Sequence, residues 1–208
     1  MKIKFKIILL CLLTVSLVAC GNGGNGGSGG NEEKGSKAAE NAEVKKPKLE
    51  MSIKDYGIIT MELEPECAPI TVENFVNLVN EKFYDGLTFT RVVPGQMILG
   101  GDPTKDGKGA AKASIKGEFE HNGINNPLKH VRGAVVMARL ENDYDSASSQ
   151  FYIMQQDYPD LDGACAVFGN VTSGMEIVDK ICEEVSTDEY GQVDFMEQPI
   201  IDYIKVIE

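Results

Sequence analysis

From residue 49 onward the chain reads as short apolar runs separated by turn residues, a rhythm closer to strands than to helices. Residues 49–53 and 58–63 flank Asp55-Tyr56-Gly57, a turn signal, and are predicted to pair as a β-hairpin. In the second run Ile59, Met61 and Leu63 alternate with Thr60 and Glu62, which puts one face inward and one outward. Pro65 and Pro69 end that run. Thr71 is the predicted N-cap of a helix, because Val72, Phe75, Val76 and Val79 fall at i, i+3, i+4 and i+7. The helical pattern fades at Tyr84-Asp85-Gly86. Further apolar runs occupy residues 87–93, 97–99, 134–138, 151–154 and 166–171, each bounded by Gly, Pro, Asn or Asp. Residues 174–183 resume the helical spacing through Met175, Val178 and Ile181, and residues 200–207 supply a closing strand. About eight strands and two helices in about 160 residues predict a mainly β domain, a closed or nearly closed antiparallel barrel with two capping helices. The helices are too few and too far apart for a sheet of βαβ units.

The first 48 residues obey a different pattern. Lys2, Lys4 and Lys6 precede an almost unbroken apolar run over residues 7–19. That run is shorter than the ~20 residues a membrane span needs and follows a basic start, so residues 1–19 are predicted to be a secretory signal. It ends in Leu17-Val18-Ala19-Cys20-Gly21, which resembles the bacterial lipobox. That resemblance implies diacylglyceryl attachment to the Cys20 thiol and cleavage before it. Two acyl chains suffice for stable anchoring, which places the protein at the cell membrane, lipid-anchored on the extracytoplasmic face. Seven of the ten residues from Gly21 to Gly30 are glycine, and residues 31–48 are of mixed charge. Residues 20–48 are therefore predicted to be a flexible tether with roughly 30 Å of typical reach. The folded domain is assigned to residues 49–208.

Composition mainly excludes. A net charge of −12 over 208 residues argues against nucleic acid as a partner, since phosphate neutralisation needs clustered Lys and Arg. With Cys20 lipidated, the mature chain keeps Cys67, Cys165 and Cys182, an odd number for a disulfide framework. The spacing holds no CxxC or Cys/His ligand pattern, so no metal site is predicted. His121 and His130 are the only histidines, and no GxSxG occurs, which leaves a hydrolase triad little to draw on. His130 is expected to be structural.

Four collinear blocks carry a family resemblance. Phe89-Thr90-Arg91-Val92-Val93-Pro94-Gly95-Gln96-Met97-Ile98-Leu99-Gly100-Gly101-Asp102 resembles the cyclophilin signature. Leu128-Lys129-His130 with residues 133–138, Ser149-Gln150-Phe151-Tyr152-Ile153, and Leu161-Asp162-Gly163 with residues 167–171 resemble three further blocks of that family in order and spacing. The resemblance implies a closed eight-stranded antiparallel β-barrel capped by two α-helices, and peptidyl-prolyl cis–trans isomerisation without any cofactor. The implied partners are proline-containing polypeptides and, through the lipid anchor, the membrane; a monomer is expected.

By position, the resemblance makes Arg91 the catalytic arginine and Gln150 the glutamine that bonds the substrate backbone or orients the arginine. Met97, Tyr152 and Leu161 would line the proline slot. Ala138 and Arg139 would pair with the peptide through main-chain groups, so the Arg139 side chain, where the family usually has Asn, need not matter. The departures are as informative. Gln96 stands where the family has a pocket Phe, Leu99 where a Gln supports the arginine, Cys165 where a His sits at the rim, and Thr90 where a His precedes the arginine. Tyr152 replaces the usual Phe, and Asp160 stands where many members carry a Trp that recognises cyclosporin. The implied enzyme is a less efficient isomerase with weak cyclosporin binding. The alternatives are a proline-peptide binding module or chaperone with weak or no isomerase activity, and a solute-binding lipoprotein, for which a single barrel lacks two closing lobes.

Overall fold

The computed structural model describes residues 45–208, so the predicted signal over residues 1–19, Cys20 and residues 20–44 of the predicted tether lie outside the described residues. Eight strands are present: β1 (Lys48–Ile53), β2 (Gly57–Leu63), β3 (Phe89–Val93), β4 (Met97–Gly100), β5 (Ala134–Met137), β6 (Phe151–Met154), β7 (Ala166–Ser173) and β8 (Ile201–Val206). Helix α1 (Pro69–Asn80) separates β2 from β3, and α2 (Met175–Glu184) separates β7 from β8. Single-turn 3₁₀ helices form at Glu120–Asn122 and Pro159–Leu161. Every strand pairing is antiparallel, in the order β3-β4-β6-β5-β7-β2-β1-β8.

The closed barrel predicted from sequence is corrected to an open sheet that curls into a half-barrel, with β3 and β8 as its edges. Those edges share the isolated bridge Thr88↔Ile200, with hydrogen bonds from Phe89 N to Pro199 O at 2.9 Å and from Ile201 N to Leu87 O at 2.8 Å. Two local features stop the ladder there. Pro199 has no N–H to donate, and β3 opens with a register shift between Phe89 and Arg91.

The inward face follows the alternation seen in the sequence. Leu49, Met51 and Ile53 of β1 and Ile59, Met61 and Leu63 of β2 are buried, while their neighbours are not fully so. Helix α1 lays Val72, Phe75, Leu78 and Val79 on this core. Phe75 is its aromatic centre, with ring centroids 5.0 Å from Tyr84, 5.2 Å from Phe151 and 5.1 Å from Phe168. Truncating such a ring to alanine typically costs about 3–5 kcal/mol.

The cap predicted for α1 also needs correction. The N-cap residue is Ala68, which offers no side-chain bond, and Thr71 lies inside the helix. The orphan donors are satisfied from a distant segment instead. Buried Glu118 accepts from Ile70 N at 3.0 Å, Thr71 N at 2.8 Å and Thr71 Oγ1 at 2.7 Å. A carboxylate at a helix N-terminus also meets the positive end of the helix dipole.

Candidate active site

Strands β5 and β6 are buried on both faces. One face joins the core through Val135, Met137, Phe151 and Ile153. The other carries a second apolar cluster of Met97, Ala134, Val136, Tyr152, Met154 and Val167, flanked by half-buried Val93, Leu99, Leu128, Ala138, Tyr158 and Cys165. The sheet register places Arg91 on this outer face. Arg91 pairs with Leu99, Leu99 with Tyr152, Tyr152 with Val136 and Val136 with Val167. Residues directly opposite in a ladder project from the same side, so the guanidinium stem, Leu99 and Tyr152 stand in one row. Met97, which pairs with Met154, forms the next row of that side.

Arg91 is half-buried, and its Nε donates to Tyr190 O at 2.8 Å. Burial lowers its pKa and the Asp188 charge works against that, but a guanidinium starts high enough to stay charged. The loop supplying that carbonyl docks on β3 through Val92 N to Gly191 O at 2.8 Å and Val193 N to Thr90 O at 3.0 Å. Gly191 is required at this junction. Its φ is +81°, and a Cβ there would lie 2.8 Å from Val92 O and Val93 Cγ2 and 3.5 Å from Arg91 Cγ.

Gln150 lies just before β6. Its Nε2 donates to Gly109 O at 2.7 Å and Gly107 O at 3.4 Å, so the amide nitrogen is committed to a loop and the amide oxygen is what it can offer. That loop is organised by fully buried Asp102, whose carboxylate accepts from Thr104 N at 2.7 Å, Thr104 Oγ1 at 2.8 Å and the Gly107 amide. Gly101 lets β4 approach closely: with φ at +86°, a Cβ would fall 2.5 Å from Ser149 O.

The remaining expected residues divide. Met97 and Tyr152 form the cluster, and Cys165 and Ala138 edge it. Ala138 N is already committed to Gln150 O at 2.9 Å. Gln96 is half-buried in the β3–β4 turn, with its N–H on Val93 O at 2.9 Å and its carbonyl accepting from Gln155 N at 2.8 Å. Helix α2 braces that turn: Gln155 Oε1 accepts from Gly95 N at 2.6 Å and Gln155 Nε2 donates to Asp179, itself paired with Arg132. Leu161 is half-buried at the end of Pro159–Leu161 and is not among the side chains packed in the cluster. The Arg139 side chain, which need not matter for pairing with a peptide, is engaged within the protein. It donates to Ala164 O at 2.9 Å, Leu140 O at 2.7 Å and Glu141 O at 2.8 Å, and stacks 4.6 Å from the Tyr144 ring. Two surface grooves of about 480 and 360 Å³ are lined by residues such as Asn125 and Lys129, or Asp188 and Glu197; neither involves Met97, Tyr152 or Leu161. The apolar cluster, its members at most 8% exposed, lies on the same side of the sheet as the arginine.

Residues 48–206 match the family model for cyclophilin type peptidyl-prolyl cis-trans isomerase/CLD. The chain belongs to the cyclophilin family. Among curated cyclophilin relatives, peptidyl-prolyl cis-trans isomerase B of Bacillus subtilis is 47% identical over 124 residues, 60% of this chain and 82% of the relative. Peptidyl-prolyl cis-trans isomerase A of Dickeya dadantii is 41% identical over 141 residues, 65% of this chain and 70% of the relative. A crystal structure of a Cryptosporidium parvum cyclophilin type isomerase superposes with a TM-score of 0.70 at 25% identity, covering 79% of this chain and 99% of that one. Its counterpart determined in the presence of the dipeptide Ala-Pro gives 0.69 at 26% identity, covering 77% and 99%. The protein is accordingly a peptidyl-prolyl isomerase. What motif reading missed in this cyclophilin are the supports: Tyr190 and Gly191 behind Arg91, Asp102 behind Gln150, and Asp162 behind His130 and Tyr152. Gly101-Asp102, inside the signature block, and Asp162, inside Leu161-Asp162-Gly163, carried a local signal.

Proposed function

We propose that the chain is a lipid-anchored prolyl isomerase that assists folding of secreted or envelope proteins at the extracytoplasmic face of the cytoplasmic membrane, with Arg91 as its catalytic residue. The observation that carries the catalytic part is the row Arg91–Leu99–Tyr152 across β3, β4 and β6. A fixed cation and an apolar shelf on one face match what the reaction needs. The imide barrier is ~18–20 kcal/mol because resonance gives the C–N bond double-bond character. Twisting ends that resonance and leaves the prolyl nitrogen with a lone pair, and no bond breaks. Selective stabilisation of the twisted form is therefore the whole task. The Arg91 guanidinium, its Nε held on Tyr190 O, presents its remaining N–H groups to that nitrogen. Met97, Tyr152 and Cys165 hold the pyrrolidine ring by contact, with Leu161 closing over it from its turn and Gln96 in place of an aromatic wall. Gln150 offers its amide oxygen, and Ala138 and Arg139 offer main-chain groups, to the flanking peptide. The C. parvum isomerase studied with Ala-Pro supports a proline-containing peptide as the class of ligand.

The cellular part rests on sequence: a basic start, the apolar run over residues 7–19, Cys20 at its end and a Gly-rich stretch after it. A protease-coupled assay on an X-Pro peptide, with the full chain in detergent, tests the activity. Incorporation of labelled palmitate into wild type but not Cys20→Ala tests the anchor, and label in both or neither would refute it.

A further inference from the structure

Beneath the apolar face runs a chain of polar groups that isomerisation as described does not use. His130 is 1% exposed. Its main-chain N–H donates to Asp162 Oδ1 at 2.8 Å, and its ring Nδ1 lies 3.3 Å from the same oxygen. An ionised carboxylate only accepts, so Nδ1 carries the ring proton. Burial holds the imidazole below its ordinary pKa against the pull of Asp162, so the ring is neutral at pH 7 and its Nε2 is a bare acceptor. The Tyr152 hydroxyl lies 3.2 Å from that Nε2, with the two rings stacked at 24°. The hydroxyl must therefore donate inward, to His130. The Cys165 thiol is the other neighbour of that hydroxyl, and sulfur is a far weaker acceptor than the bare imidazole nitrogen.

We propose that Asp162 and His130 are positioning residues for the proline-binding face: together they fix the Tyr152 hydroxyl as an inward donor, so that the wall meeting the pyrrolidine ring presents no free O–H. This rests on the isomerase reading of that face. A pyrrolidine ring has no acceptor, and a thiol is a weak one, so covering an outward O–H would leave a buried donor unsatisfied. A phenylalanine at this position would need no such device. Tyr152 introduces the hydroxyl, and the Asp162–His130 pair consumes its proton.

Protonating His130 reverses the chain. Nε2 then carries a proton, two donors face each other, and the hydroxyl must turn toward Cys165 and the substrate. The groups bearing on that titration are Asp162 after the 3₁₀ turn, Lys129 on the same segment and 3.8 Å from Asp162, Tyr152 on β6, Cys165 and Arg139 beyond it, and Tyr158, whose N–H bonds His130 O at 2.7 Å. Asp162 favours the imidazolium and Lys129 opposes it.

The test uses the full chain in detergent micelles, with isomerisation of an Ala-Pro peptide followed by NMR exchange so that no coupling protease limits the pH. For the wild type, KM is expected to rise roughly tenfold between pH 7.5 and the lower pH at which nitrogen-15 shifts show the His130 ring protonated, with much less change in kcat. Within Tyr152→Phe, the ratio of KM at those two pH values is expected to collapse toward one. Nitrogen-15 shifts should place the His130 proton on Nδ1 at pH 7.5. Asp162→Ala, which removes the oxygen that holds Nδ1–H, should raise KM at neutral pH when Tyr152 is present and not in the Tyr152→Phe background, whereas a merely structural loss would appear in both. A His130 proton on Nε2 at pH 7.5, or an acid rise in KM that persists in Tyr152→Phe, would overturn the proposal while leaving the isomerase standing. Failure to accelerate exchange at any pH would overturn both.

Discussion

Replacing Gly191 with alanine perturbs Arg91 without touching it. Gly191 has φ at +81°, a region that costs a non-glycine residue about 1–3 kcal/mol when tertiary structure enforces it. The added Cβ would sit 2.8 Å from Val92 O, the backbone of the strand bearing the arginine, and backbone cannot swing aside as a flexible side chain would. Relief must come from moving residues 190–192 outward, which stretches the Val92 N to Gly191 O bond and carries away the Tyr190 carbonyl that fixes Arg91 Nε. Misplacement of a reacting group by ~1 Å can cost on the order of 10²-fold in rate. The expected outcome is a fall in kcat/KM of about 10–100-fold, chiefly in kcat, far larger than the accompanying stability loss would produce. That loss, about 1–3 kcal/mol, should lower Tm by about 2–4 °C per kcal/mol in a domain of this size. Calorimetry and the peptide assay on the same preparation measure both. Wild-type kcat in a folded Gly191→Ala protein would show that the Tyr190 contact does not position the guanidinium.

Glu118→Ala should lower stability by about 3 kcal/mol or more, since it leaves the Ile70 and Thr71 amides and the Thr71 hydroxyl without their acceptor. Urea midpoints measure this, and Glu118→Gln should recover part of the loss. Gln96→Phe should raise kcat/KM by supplying an aromatic wall beside Met97; an unchanged or lower value would mean that this wall does not limit the rate. Because burial holds His130 below its ordinary pKa of 6.5, the unfolded chain takes up a proton here before the native fold does. Native stability from this group is thus fully present above about pH 6.5 and is lost as pH falls through the lowered folded value. Urea midpoints should decline from pH 7.5 to 5, and should decline less in His130→Asn.

The inward faces of β1 and β2 were legible because alternation is a local signal: Met51, Ile59 and Met61 are apolar wherever the strands end up. Arg91, Met97 and Tyr152, which share the outer face, were legible too, because each lies in a short contiguous block. What sequence spacing could not convey is coupling across long separations. Glu118 caps a helix 47 residues away, and the carbonyl that holds Arg91 belongs to Tyr190, 99 residues on. Thr71 was a plausible cap by residue type, yet the helix begins two residues earlier at Pro69, a position where proline's missing N–H is harmless. The open edge was similarly hidden. Pro199 interrupts the pairing of β8 with β3, and its effect depends on which strand lies opposite.

The measurement bearing most directly on the role of the guanidinium is turnover of an X-Pro peptide by the full chain, wild type beside Arg91→Ala, with peptide affinity measured in parallel. Loss of the guanidinium is expected to lower kcat by about 10²-fold or more while affinity for the peptide changes only a few-fold. Wild-type turnover by a folded Arg91→Ala protein would contradict it.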